Sequence, residues 1–538
     1  MSRSPRTRLL GTTALAGFVA AFVAVPGHAA DTSWTGAVSS DWFNIGNWSA
    51  GVPSNSFGFT SIDSGARPNA PVIGSPGAAT YVLLVGDQAA GSLNIQNGGT
   101  INTGLDGWLG SAVGSTGIVT VDGTASKWTI ANQLSVGRRG TGTLNVVNNG
   151  AASADSVQVG YSGTASGSLV IGSGGTVSAN RVDIALLTGS TGALVIGGPS
   201  GFPAVAPGTL NAPAVAFGSG SGQIVFNHTS SNYVFAPVIS GAGSVRVESG
   251  TTIFTGANSY SNGTSIAGGT LEVSGPNGGI SSGADLAVGT LAGGTGTFNV
   301  TNGGKVTNGS GLIGNVAGAS GNATVTGAGS SWASGVYLVV GNVGDGSLTV
   351  TNGGVARSTV LSYIGFDSGT TGSVTVAGAG SQLHSDGSIA VGHQGTGILS
   401  VTNGGGVSDN TGFIGVFGSG TALVSGAGSA WNTTLDLGIG LNGQAALTIA
   451  DGATLSVGRT LNIATNAAST GTLYIGALSG QPAAAAGAVV TPSIVFGAGS
   501  GSIVLNHTDT GYRFTASVSG AGSVRVESGT SIFTGTSA

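Results

Sequence analysis

The residues that could carry chemistry are few and widely separated. Zero Cys removes disulfides, iron–sulfur clusters, thiolate zinc sites and thiol nucleophiles together. Past residue 30 the histidines are His228, His384, His393 and His507. His228 and His507 have no second His at ligand spacing and no carboxylate within several residues, so neither is expected to hold a metal. One Gly-x-Ser-x-Gly occurs, Gly279-Ile280-Ser281-Ser282-Gly283. A hydrolase elbow needs a strand-to-helix turn there, and no helical pattern follows. The Asp-Ser-Gly triplets at Asp63 and Asp367 lack the preceding Gly of a trypsin-like protease. A polysaccharide lyase would need acidic metal ligands beside a basic residue. Lys127, Arg138, Arg139, Arg181, Arg246, Lys305 and Arg357 are instead scattered, with few carboxylates near them. No catalytic residue, cofactor or metal is assigned, and the expectation is a protein that is not an enzyme.

Aromatic residues could serve binding rather than catalysis. Trp128, Trp332 and Trp431 each follow a Ser by two positions, and Leu383 takes the same slot after Ser381. Two readings stand for these tryptophans: apolar packing, or an exposed stripe on which sugars stack. Leu in one of the slots favours packing.

The elements that must position these residues are repetitive. The chain has 538 residues with 104 Gly, 40% hydrophobic residues and only 6% charged ones, against about 25% charged in ordinary soluble domains. Gly-x-aliphatic-x-aliphatic begins at Gly91, Gly117, Gly142, Gly167 and Gly192, and again at Gly296, Gly321, Gly346, Gly372, Gly397 and Gly420. The step from each to the next is nearly constant within each series, the mark of a repeat architecture. An aliphatic residue followed by Gly marks a second strand in most units, as in Val136-Gly137, Val340-Gly341 and Ile364-Gly365. Within strands such as Ser347-Leu348-Thr349-Val350, apolar and polar residues alternate, which places Leu and Val on one face and Ser and Thr on the other. Asn302-Gly303-Gly304, Asn352-Gly353-Gly354 and Asn403-Gly404-Gly405 supply tight turns. Alternate units carry Gly-Ala-Gly-Ser, so two similar halves make a longer period of about 50 residues. The fold predicted is all-β, a parallel β-helix (β-solenoid) with rungs of about 25 residues. In it Trp332, Leu383 and Trp431 fall on one column at every second rung.

Residues 1–30 carry Arg3, Arg6 and Arg8 ahead of an apolar run, Leu9 to Val25, that ends in small residues, the pattern of a secretory signal peptide. Its removal takes the net charge from −5 to −8, because it holds three positive charges and no negative ones. Nucleic acid is therefore not an expected partner, for want of a basic patch. The expected organisation is a Trp-rich cap and first rungs at 31–90, a first array at 91–221, a repeat block and connector at 222–290, a second array at 291–500 and a second block at 501–538. The two blocks match at 24 of 35 positions, Gly222 to Gly256 against Gly501 to Gly535, at a constant offset of 279. Ser240 to Thr251 recurs unbroken as Ser519 to Thr530.

Trp34-Thr35-Gly36, Asp41-Trp42-Phe43, Asn47-Trp48, Gly51-Val52-Pro53, the alternating Thr-Asn-Gly-Gly and Gly-Ala-Gly-Ser units, and Thr252-Ile253-Phe254-Thr255-Gly256 followed by Gly269-Thr270-Leu271 together resemble passenger domains of bacterial autotransporters. The resemblance implies a right-handed parallel β-helix carried through the outer membrane of a Gram-negative cell by a C-terminal β-barrel, and many such passengers are adhesins or aggregation factors. Nothing after Gly501 has the strand pattern of that barrel, and the chain stops in mid-repeat, so the expectation is either a truncated gene or a passenger that leaves the periplasm by another route or stays there. The expected partners are a host or abiotic surface, a matrix polysaccharide or another copy of the chain. The expected location is the cell surface, the outer membrane or the extracellular space, or the periplasm if the barrel is truly missing. The alternatives are a secreted polysaccharide-active β-helix and an inert remnant.

Overall fold

The computed structural model describes residues 31–56 and 58–536. The signal peptide expected at 1–30 lies outside the described residues. Alternation of apolar and polar residues over short runs, punctuated by glycine turns, produces many short strands and only two short 3-10 segments among the described residues. No described helix is long and apolar enough to cross a membrane.

One turn of the chain shows the plan. Thr295–Thr301 runs along a first face, the Asn302-Gly303-Gly304 turn redirects the chain into Lys305–Asn308 on a second, and Gly311–Ile313 forms a third. A loop then returns to Ser320–Thr326, which pairs in parallel with Thr295–Thr301 so that Gly296 faces Gly321. Repetition of this plan gives a parallel β-solenoid of about 20 turns. The backbone N–H and C=O groups of each rung are taken up by the rungs above and below.

Register turns the sequence repeat into columns. Phe298, Ala323, Leu348, Val374 and Leu399 stack in the lumen, each in register with the next, and all are 0–2% exposed. Between such residues Ser347 and Thr349 point outward. The turn after Asp345–Thr351 has Asn352 at φ 53° and Gly353 at φ 82°, the two left-handed residues of a tight turn. The glycine that opens each long strand has a different reason. A Cβ on Gly372 would press on the carbonyl oxygen of Val340, one rung below.

The block at 222–290 is part of the same stack, and it rotates the roles of the three faces. Val245 pairs with Thr264 and Thr252 with Leu271, so this rung is several residues shorter than those of either array. The shorter rung moves the strand phase. Long strands of the first array, ending in Val238–Ser249, are continued by Thr264–Ile266, Leu286–Val288 and Gly311–Ile313, the short strands ahead of the loop in the second array. The short pre-loop strands of the first array are continued through Ala257–Tyr260 by Gly279–Ser281 and Lys305–Asn308. Tyr512 pairs with Ser531 at the same short spacing, so the second block starts the same shortening.

At the other end three buried tryptophans pack against one another. Trp34 and Trp42 both meet Trp48 edge-on, at centroid distances of 4.9 and 4.7 Å. Trp34 donates to Asn69 O and Trp48 to Trp42 O, each at 2.8 Å.

The packing at Gly372 generates a test. Gly372→Ala should lower stability by about 1–3 kcal/mol, because the added methyl forces the backbone of two rungs apart. Gly283→Ala, where a Cβ meets only open space, should leave the thermal unfolding curve in place.

Candidate binding surfaces and buried polar groups

The three tryptophans singled out from sequence point into the lumen, not to solvent. Trp128 and Trp431 are 0% exposed and Trp332 is 1%, which leaves no aromatic surface stripe at these positions. Trp332 pairs with Ala356, Ala356 with Leu383, Leu383 with Val407 and Val407 with Trp431, so the expected column at every second rung is present. Ala356 makes room beside the Trp332 indole. Trp128 stands on a different face, between Ile101 and Ala152.

The N–H of each of these three indoles needs an acceptor, and a lumen residue two positions further along the neighbouring strand supplies it. Trp128 Nε1 donates to Thr103 Oγ1 at 3.0 Å, Trp332 Nε1 to Asn308 Oδ1 at 2.7 Å and Trp431 Nε1 to Asp409 Oδ2 at 3.3 Å. Ser358 bonds Ser362 and Ser385 in the same column. Asp409 is the one carboxyl there. Burial pushes its pKa up to about 7, and its Oδ1 and the Thr433 Oγ1 across the ladder have no hydrogen-bond partners.

His228 and His507 are also buried, each 0% exposed. His228 Nε2 meets Thr252 Oγ1 at 2.9 Å and His507 Nε2 meets Ser531 Oγ at 2.8 Å. Desolvation lowers the His228 pKa to about 4, so the ring is neutral at pH 7. No group of three or more His, Asp or Glu side chains that could hold a metal occurs among the described residues. Beside each histidine a loop is pinned to the solenoid. The Asn227 amide donates to Pro199 O and Phe202 O at 3.0 and 2.9 Å. Glu248 accepts from Ser200 Oγ at 2.6 Å and pairs with Arg246. Burial opposes ionisation of Glu248, but hydrogen bonds from Ser200, Arg246 and Gly201 hold its carboxyl below the usual range. Asn506, Ser479, Glu527 and Arg525 repeat these contacts. The duplication therefore extends upstream of Gly222, into loops whose sequences have diverged.

Two surface groupings escaped sequence reasoning. On the face built by Tyr337–Val340, Leu361–Ile364, Ser388–Val391 and Thr411–Ile414, the outward column runs Val339, Tyr363, Ala390, Phe413. Phe366 and His393 stack beside it at 5.0 Å and 5°, Tyr363 meets both rings edge-on, and Phe417 lies 61% exposed at the end. On another face His384 Nδ1 meets Ser408 Oγ at 2.7 Å and its Nε2 meets Asp386 Oδ1 at 2.7 Å. Ser, His and Asp in one line resemble a hydrolytic triad. However, Ser408 sits within a strand whose backbone N–H groups belong to the parallel ladder, and so that strand offers no oxyanion donors. Asp386 is held below the usual carboxylate range by hydrogen bonds from Arg357 and His384, which makes the cluster an ion-pair ladder across three rungs.

A cleft of about 350 Å³ opens on the first array. Trp108 faces outward there, in register with Leu84 and Ser135. The Arg138 guanidinium lies 3.5 Å from the centroid of its ring, Phe59 stands 6.2 Å from it, and Arg139 lines the same wall. The signal for Trp108 was present in sequence: it directly precedes Leu109-Gly110, and alternation from the inward Leu109 turns the indole out.

The lumen generates two tests. Trp332→Ala should cost about 3–5 kcal/mol in denaturant unfolding, whereas a surface indole would cost almost nothing. The raised Asp409 pKa means that the folded state holds its proton to higher pH than the unfolded chain. Its destabilisation is absent below the ordinary value of 3.8, grows as pH rises through the window up to about 7, and is constant above. Asp409→Asn should therefore match the parent near pH 3.5 and exceed it by a few kcal/mol at pH 8.

With this geometry in place, residues 248–273, which span the short rung, match the family described as Passenger-associated-transport-repeat. The chain is 38% identical over 255 residues to the adhesin BmaC autotransporter of Brucella suis, a match covering 40% of this chain and 7% of that protein. It is 30% identical over 210 residues to the uncharacterized protein YuaQ of Escherichia coli, covering 37% of this chain and 15% of the relative. The chain thus matches only a small part of the length of these relatives. The solenoid thus carries one passenger-associated repeat and is similar over part of its length to an adhesin autotransporter.

Proposed function

We propose that this chain is a non-enzymatic passenger, exported to the cell surface or the extracellular space, that mediates adhesion or cell–cell aggregation. The observation that carries the proposal is the match of 40% of the chain to a protein described as an adhesin, on a rod whose long outer faces are coated with Ser, Thr and Asn. Polar ladders such as Thr351 Oγ1 to Thr326 Oγ1 at 3.0 Å and Asn342 Nδ2 to Asn315 Oδ1 at 2.9 Å recur from rung to rung. Such a surface suits many weak contacts in parallel with a surface, a matrix polysaccharide or a second copy of the chain, where avidity replaces a single deep site.

The test is a comparison of cells displaying the intact gene product with a deletion strain. The displaying cells should settle faster or retain more cells on a coated surface. Equal settling and equal retention would overturn the reading, and release of product from an acidic polysaccharide by the purified chain would replace it with a polysaccharide-active one.

A further inference from the structure

The cleft at Trp108 differs from the rest of the surface in chemistry. Arg138 and Arg139 are adjacent cations in a chain of net charge −5, and among the described residues neither forms an ion pair, although six other pairs form along the rod. The Arg138 guanidinium is held by its cation–π contact with Trp108, so its donors are kept in a fixed plane without an acceptor. The Trp108 Nε1–H is likewise buried and unpartnered. The carboxylates in the wall are already engaged on one oxygen: Asp31 Oδ1 accepts from Phe59 N at 2.9 Å and Asp87 Oδ1 from Ser111 Oγ. Their remaining oxygens are acceptors for hydroxyl groups. Phe59, 42% exposed, presents an apolar ring at the rim.

We propose that this cleft binds an acidic sugar residue, a carboxylate-bearing unit of a polysaccharide. The carboxylate takes the paired guanidinium donors of Arg138 and Arg139, for which a planar two-oxygen anion is the matching shape. Sugar hydroxyls donate to Asp31 and Asp87, and the carbon face of the ring packs on Phe59. A bare anion fits less well, because two carboxylates stand beside the two guanidinium groups and offset them. A neutral sugar leaves both cations unpaired. The proposal rests on the adhesive reading and deepens it by naming a ligand class and a place for it.

The experiment is calorimetric titration of the full exported chain with oligogalacturonate, with dextran and inorganic phosphate as comparison probes. Oligogalacturonate should bind and should weaken as salt is raised. Arg138→Ala/Arg139→Ala should weaken it by about tenfold or more, while Arg459→Ala, on a surface ion pair elsewhere, should leave it unchanged. Arg139→Lys keeps the charge and loses the fork, and should bind more weakly than the parent. Thermal unfolding of each variant should match the parent, which separates binding from folding. Unchanged affinity in the double variant, no binding of oligogalacturonate, or equal binding of dextran or phosphate would each overturn the proposal. If oligogalacturonate fails to bind while displaying cells still adhere, this site falls and the adhesive reading stands. If the double variant loses oligogalacturonate but its cells adhere as before, the site stands and adhesion resides elsewhere on the rod.

Discussion

The parallel backbone ladder between rungs is the constraint on which everything else depends. A single turn of the chain cannot bury its own apolar face or satisfy its own backbone groups. It becomes stable only when a neighbour offers a matching row of N–H and C=O groups at the same positions. Register is therefore fixed rung by rung, and every side chain inherits a column. Gly372 lies where the chain returns close beneath Val340, and Ala445 is tolerated in the equivalent position of its own strand. The low charge content has the same origin, because a charged side chain repeated in a column would stand about 4.8 Å from its like.

The lumen does not consist of hydrocarbon alone. Indoles fill it efficiently only if their N–H groups are answered, and Thr103, Asn308 and Asp409 perform that service from inside. Asp409 shows the tension in this solution. A carboxyl answers the Trp431 N–H as the Asn308 amide answers Trp332, but burial strips it of water and disfavours its charge. The same logic keeps His228 neutral beside Thr252.

The block around residues 248–273 acts as a phase changer. By shortening one rung it moves the long strands to a different face while the ladders of the other two faces run on through it. As a consequence, Trp108 and Arg138 share a face with Arg357, His384 and Ser408, whereas Tyr363 and Phe413 extend the face that carries the long strands of the first array. Surface chemistry on this rod is thus distributed by phase, and two sites with the same position in the repeat can look in different directions.

Periodicity by itself determined most of the fold: the rung length, the alternation of inward and outward residues, the tight turns at Asn352-Gly353 and the column joining Trp332, Leu383 and Trp431. Each of these depends only on a strand period of two and a constant step, both of which are local and countable. Whether Trp128, Trp332 and Trp431 faced in or out was not decided by composition, because an indole serves either side, and the register against Ala152, Ala356 and Val407 settled it. The short rung was present in the sequence as a repeat block, but its rotation of the faces is a property of stacked strands that no single window contains. Trp108, Arg138 and Phe59 come from three different rungs, and so do Ser408, His384 and Arg357. Such groupings form across the ladder, at right angles to the chain, where residues far apart in sequence become neighbours only after every intervening turn has closed.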